Sequence, residues 1–541
     1  MLFLGTLLLA WAAPPRKKVP LMGPQGSNHV PVQVPPFSFV KEGDTLRFNV
    51  KEGMRLGVAT GADSPFEDQG QRAVIIAAPD RKRAADLLAI PISLNWRPPV
   101  VDQPVAQVLR LAHRGTYEEW QEEGMFTALF TDHGELPVLS LLLPEGSLFD
   151  PDSGLMVVGN AILHAPEKVL KTDWEDPRWW KYPGNFHFRG KEWERHGRLE
   201  MIAPDGREVF ERQVTVRING QMTRGFPQHA LRIGFSTPVM DDVFLDDPRS
   251  GYRGFVIRAA GNDQIRAMLR DAFQHSLCAG LPFEVSGHRT CVLFINGAYW
   301  GVHHIRERMD QAEIARRYGL PKKRITILED EARLYRGDPR QERAFRQLAT
   351  TTRYWDGKDV AWADSLKATI DVDGFMYYMA TQMIFANTDW PGQNVKFWRY
   401  MGANEPVAPR DGRWYFIMGD SDLGYGVAAG PDADLFTRVN TIEVPITWLL
   451  RGMLRNTEFR SRFIAIAREL AQGALSAERS VQKLDRFVAL MAPEMARHTG
   501  RWRRPSDRDT WEEHIEVMRT FALQREASVL EQLDRYERKG E

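Results

Sequence analysis

The sequence predicts an α+β fold: a small β-sandwich, then a mixed core, then a helical C-terminal part. Three observations predict it. Between Leu46 and Phe130 apolar residues recur with period two, separated by Gly- and Asp-containing turns, the pattern of half-buried antiparallel strands. From 134 to 440 strand-like and helix-like stretches mix, and the last hundred residues carry helical spacing. At 541 residues the chain exceeds one ordinary core, so two or three domains are expected.

In chain order, the start MLFLGTLLLAWAAPPRKK holds an apolar run from Leu2 to Ala13. It is shorter than the roughly 20 residues that span a bilayer. With Ala12 and Ala13 near a cleavage point, residues 1–20 read as a signal peptide. The mature chain is then secreted or held at the cell surface, with no integral membrane segment after cleavage. A proline-rich linker runs to about Pro36, and the sandwich is assigned to 22–133. Its strands lie around Leu46–Val50, Met54–Val58, Val74–Ala77, Val108–Ala112 and Phe126–Phe130.

The core is assigned to 134–440. LPVLSLLLPEGSLFDPDSGLMVVGN, from Leu136, reads as strand, loop and strand, and 212–235 as two strands joined by a basic loop. In 261–281, Ile265, Leu269, Phe273 and Leu277 are spaced by four. This predicts an amphipathic helix, with Asn262 or Asp263 as N-cap and Gly280 at its end. TCVLFINGAYWGVHHI is a hairpin turning at Asn296-Gly297. GFMYYMATQMIFA is a helix, and WYFIMGDSDLGYG (414–426) a strand running into acids and glycines. Over 441–541, Asn456 or Thr457 caps a helix bearing Phe459, Phe463, Ile466 and Leu470. Two more follow, marked by Leu484, Phe487 and Met491, then by Ile515, Met518 and Phe521.

Composition excludes several classes. Hydrophobic residues at 43% and charged residues at 26% exclude a disordered chain. Lysine plus arginine (71) equals aspartate plus glutamate (71), which argues against a dedicated nucleic-acid binder. Two cysteines, Cys278 and Cys291, make neither a disulfide framework nor a zinc set. GxxxxGK[ST], HExxH and GxSxG are absent. His303 and His304 are adjacent on a strand and point to opposite faces. The basic RHTGRWRRP (497–505) reads as a solvated helix end, and Trp179, Trp180 and Trp193 as packing residues or a sugar platform.

FANTDWPGQNVKFW (385–398) carries the chemistry. Asp389 and Asn394 interrupt an apolar run with Pro391 and Gly392 between them. Asp followed five residues later by Asn is the spacing of the kinase catalytic loop. There the carboxylate accepts a hydroxyl proton and the amide oxygen ligates a metal ion. Turns also favour both residues. Roughly thirty residues on, a hydrophobic strand runs into Gly419-Asp420-Ser421-Asp422-Leu423-Gly424. An acid at a strand end supplies a second hard oxygen ligand.

Together these stretches resemble the CotH kinases, the family of spore coat protein H, over roughly 134–540. The resemblance rests on LPVLSLLLPEGSLFDPDSGL, on the loop with Gly220, Thr223, Arg224 and Pro227, and on MLRDAF, LFINGAYWGVHHIRERMD, NTDWPGQN and WYFIMGDSDLGYG in that order. The leading sandwich resembles chitobiase-like or fibronectin-like domains. The resemblance implies an atypical protein-kinase-like fold and transfer of the γ-phosphate of ATP to protein serine or threonine, with Mg²⁺ or Mn²⁺. Asp389 would be the catalytic base, Asn394 a metal ligand, and Asp420 or Asp422 the second. Glu307 would shape the nucleotide pocket. The family commonly carries two lysines after the loop proline, where this chain has Gln228 and His229; Arg224 or Arg232 would then face the phosphates. The implied partner is an extracytoplasmic protein, with polysaccharide contact through the N-terminal domain. The alternative is a catalytically inactive scaffold in surface or coat assembly.

Overall fold

A computed structural model describes residues 37–539 except 43–44, 72–73, 77, 116–117, 161–162, 164–176, 245–249 and 403–404. The expected signal peptide and linker lie outside the described residues. Among the described residues no helix is long and apolar enough to cross a membrane. The architecture is mixed α+β.

The N-terminal strands form two antiparallel sheets. One is Phe37–Glu42, Thr45–Val50 and Val74–Ile76; the other is Glu67–Gly70, Arg55–Thr60, Ala106–Arg114 and Gln121–Leu129, each in spatial order. Phe48 of the first packs with Leu56, Val58, Leu109, Leu111 and Phe126 of the second. These inward positions are those of the period-two pattern, because successive side chains on a strand alternate faces.

The alternation predicts nothing for residues 81–89, yet the helix Arg81–Ala89 lies there, capped by Asp80, which accepts from the Arg83 N–H at 2.9 Å. Its Ala84, Leu87 and Leu88 join the core of a closed barrel. In spatial order the barrel strands are Glu208–Asn219, Ala230–Val239, Tyr252–Arg258, Ala298–Glu307, His288–Ile295, Val138–Leu142 and Arg195–Ile202, which closes onto the first. The pair of His288–Ile295 with Val138–Leu142 is parallel. Closure leaves no unpaired edge. The hairpin turns where expected: Asn296 (φ 50°) and Gly297 (φ 81°) both take the left-handed backbone that a two-residue turn requires.

A third sheet, Arg333–Arg336, Ile325–Glu329, Val395–Tyr400 and Tyr415–Met418, carries the loops of interest at its strand ends. The helix Val372–Ile384, every one of whose residues from Gly374 onward is buried, leads into them. Three long helices, Thr457–Gln472, Ala477–Trp502 and Arg508–Lys539, complete the core. Asn456 is the cap of the first, accepting from the Phe459 N–H at 3.2 Å.

Two expectations need correction. The helix expected over 261–281 is interrupted: a 3₁₀ turn covers Gly261–Ile265, Met268 has φ 64°, and the α-helix is Arg270–Leu277. The Asp263 carboxylate accepts from the Arg270 N–H at 3.0 Å and pairs with the Arg270 guanidinium, so it starts the helix from outside. Every residue of Arg270–Leu277 is buried, so a one-sided apolar pattern does not describe it. The second correction is the stretch 497–505, which is not a solvated end. Arg501 is 0% exposed, its guanidinium 4.0 Å from the Trp502 ring centre and 5.1 Å from that of Trp300. Both cysteines are free and buried.

Candidate active site

The apolar helix Val372–Ile384 ends at Phe385, and Ala386 reverses the chain with φ 50°. Asn387 is fully buried. Its amide donates to the Gln382 side-chain oxygen (3.0 Å) and the Asp420 carbonyl (3.4 Å), and its oxygen accepts from the Asp389 N–H (3.2 Å). The Thr388 hydroxyl donates to the Leu423 carbonyl at 3.1 Å. The 387–389 and 420–423 loops are therefore tied together before any ligand is considered. Asn394 closes the first loop, its amide donating to Asp389 Oδ2 at 2.7 Å.

Pairing of Val395 with Met418 puts Asn394 and Gly419 side by side beyond the paired ends. Gly419 is required there, since a Cβ on it would lie 2.3 Å from the Asn394 carbonyl oxygen. Asp389, Asn394, Asp420, Asp422 and Glu307 all line one cavity of about 350 Å³, walled on one side by the barrel and on the other by the third sheet. Non-glycine residues with positive φ gather at its wall and just behind it: Ala260, Asp330, Ala386 and Asn394. Such strained backbone persists only where its surroundings over-determine it.

Arg258, at the end of its barrel strand, organises the acids. Its guanidinium reaches Asp420 at 3.0 Å, Asp422 at 3.3 Å and Asp271 at 3.5 Å. Despite burial, Asp420, Asp271 and Asp422 hold Arg258 well above its ordinary pKa. Asp271 comes from the buried helix and also pairs with Arg306 at 3.2 Å; despite burial, Arg306 and Arg258 hold it well below the carboxylate range. Burial pushes Asp422 up to about 7, with Arg258 opposing and Asp420 adding to the rise. Asp422 also accepts from the Asn262 N–H at 2.7 Å. Burial likewise raises Asp389, against the Asn394 hydrogen bond. His275, lowered to about 4 by burial and Arg306, sits 3.1 Å from the Gly419 carbonyl. Gln274 donates to the Ser421 carbonyl at 2.7 Å.

Glu307 is locked at the cavity's back. It accepts from the Gly287 N–H (2.9 Å) and Arg316 (2.8 Å) and pairs with Arg317. Burial, with Glu313 beside it, raises its carboxyl to about 8.

The two arginines expected near phosphates do not line the cavity among the described residues. Arg224 is buried and donates to four carbonyls, those of Gly220, Phe186, Phe188 and Ile218, so it staples its own loop. Arg232 shares a strand face with Ala230 and stands opposite Val256, both lining residues, but is not itself in the wall. Gln228 does line the cavity, with its amide donating to the Val302 carbonyl at 2.9 Å. His229 is buried and does not line the cavity; it sits 3.0 Å from the Ile92 carbonyl, and burial lowers it to about 4. Trp179 and Trp180 pack on Phe226 of the same loop.

Arg258, Asp271 and Arg306 were invisible as site residues in the sequence. Asp271 stands in MLRDAF, a stretch whose order along the chain was the only signal available for it. Arg306 likewise stands in LFINGAYWGVHHIRERMD, next to Glu307, and Arg258 carries no local pattern.

Among the described residues no three His, Cys, Asp or Glu side chains converge as a metal-holding group. The donors present are hard oxygens, and seven carboxylates but three cations line the cavity. That set fits Mg²⁺ or Mn²⁺ held by one or two side chains, with phosphate and water oxygens completing the shell. Asn394, with Asp420 or Asp422, could hold it.

No curated protein matches the chain. Residues 216–529 match the family described as CotH kinase protein. That span holds the whole cavity wall and more than half of the sequence, and the chain belongs to this family.

Proposed function

We propose that the protein is an atypical kinase that moves the γ-phosphoryl group of ATP to a serine or threonine hydroxyl of an extracytoplasmic protein. The observation that carries this reading is the meeting of Asp389, Asn394, Asp420 and Asp422 in one cavity, from loops that buried Asn387 ties together by a bond to Asp420, 33 residues on. Asp389 is half-buried and held in place by Asn394, so it is oriented to accept the hydroxyl proton as that oxygen bonds to phosphorus and ADP leaves. A divalent cation, when bound, offsets the charge on the phosphate oxygens. Arg258 keeps Asp420 and Asp422 together, and Gly419 brings them up to Asn394. Export, by the Leu2–Ala13 segment, and polysaccharide contact by the N-terminal sheets belong to the same proposal.

A specific observation favours a second reading, a nucleotide-free or inactive scaffold. The loop that would face the phosphates offers no free cation, since Gln228 and His229 are buried and neutral and Arg224 is engaged with backbone. Incubation of the protein with γ-labelled ATP and Mn²⁺ or Mg²⁺, beside Asp389→Asn, decides between them. Label on an added protein or on the chain itself, lost in the variant, supports the kinase. Equal label in both overturns the role of Asp389, and absence of both label and nucleotide-induced thermal stabilisation supports the scaffold.

A further inference from the structure

We propose that Lys396 is the residue through which this chain binds the phosphate groups of its nucleotide, in place of the lysines missing at Gln228 and His229. The inference rests on the kinase reading above. Three cations line the cavity among the described residues: Arg258, Arg306 and Lys396. Arg258 is surrounded by Asp271, Asp420 and Asp422, and Arg306 pairs with Asp271. Neither can turn to an incoming anion without stranding a buried acid. Lys396 forms no salt bridge among the described residues; the acid facing it is its cross-strand partner Glu329, whose carboxyl is raised by burial and lowered by the Lys396 charge. The ammonium rests 4.4 Å from the centre of the Tyr335 ring, a contact it can leave.

Position supports the same role. Lys396 follows Asn394 by two residues on the strand Val395–Tyr400. Val395 and Lys396, the first two residues of that strand, both line the cavity, with Val395 at 1% exposure. Its cross-strand neighbours, Glu329 and Ile417, line the same wall. A four-carbon stem lets the ammonium sweep several ångströms from that anchor, and a compact point charge suits a phosphate oxygen.

The test is equilibrium binding of ATP, ADP, AMP and adenosine, each with Mg²⁺, to the full chain and to Lys396→Met and Lys396→Arg. The expected result is a tenfold or greater loss of ATP affinity in Lys396→Met. That loss should shrink along the series and vanish for adenosine, with most affinity kept in Lys396→Arg. The salt dependence of ATP binding should also flatten in Lys396→Met. Unchanged ATP affinity in Lys396→Met, or an equal loss for adenosine, would overturn the inference while leaving the kinase reading intact. Absence of nucleotide binding by the unaltered chain would overturn both.

Discussion

The Asn394 side-chain amide donates to the Asp389 carboxylate across 2.7 Å while Asn394 itself holds a left-handed backbone, φ 61°. One residue thus orients the acid and turns the chain. Asparagine tolerates this conformation better than most residues, and glycine tolerates it best.

These two tasks can be separated. Asn394→Gly keeps the turn and removes the side chain, so its melting temperature should stay within a few degrees of the parent. Asn394→Ala should melt lower, by the equivalent of about 1 kcal/mol. Both should lose phosphoryl transfer by on the order of a hundredfold. Full activity in Asn394→Gly would remove Asn394 from the site.

Arg258 holds three acids, of which Asp271 and Asp422 are buried and Asp420 is mostly exposed. Arg258→Met should cost about 3 kcal/mol, since removing one member of a buried ion-pair group strands the others. Urea unfolding measures this, and equal midpoints for parent and variant would contradict the assigned pairing.

Asp422 makes stability depend on pH. Its folded pKa, about 7, lies above the unfolded carboxylate value near 4. The folded state therefore binds the proton more tightly. The resulting stability is fully present below pH about 4 and is lost as the pH rises to about 7, with a slope of at most about 1.4 kcal/mol per pH unit. Asp422→Asn should lack this component. The difference in stability between parent and variant should drift across pH 4–7 and flatten above it; a constant difference would refute the assignment.

The helix Arg81–Ala89 fills the barrel core although it belongs to the N-terminal segment. Leu87→Ala should destabilise the protein by about 2–5 kcal/mol. The nearby exposed Leu94 serves as control, and Leu94→Ala should stay within about 0.5 kcal/mol. Equal effects would mean the helix is only draped on the barrel.

Elements whose signals are local were legible in the order of residues along the chain. Period-two alternation placed the strands around Leu56 and Leu109, and Asn296-Gly297 placed the hairpin. Asn456 placed a helix start, and the spacing of Asp389 and Asn394 marked the loop. Each rests on the geometry of a few consecutive residues. What those residues meet depends on the folded chain. It placed Arg258, Asp271 and Arg306 among the acids, which come from a barrel strand, a buried helix and another barrel strand, because compensating buried charge is settled by distance in space. It gave Arg224 to four carbonyls of its own surroundings, since a loop must satisfy its backbone before its side chains can serve a ligand. It buried Arg501 against two tryptophans in a stretch that reads as solvated, because an arginine stem and flat guanidinium pack on aromatic faces as readily as they meet water.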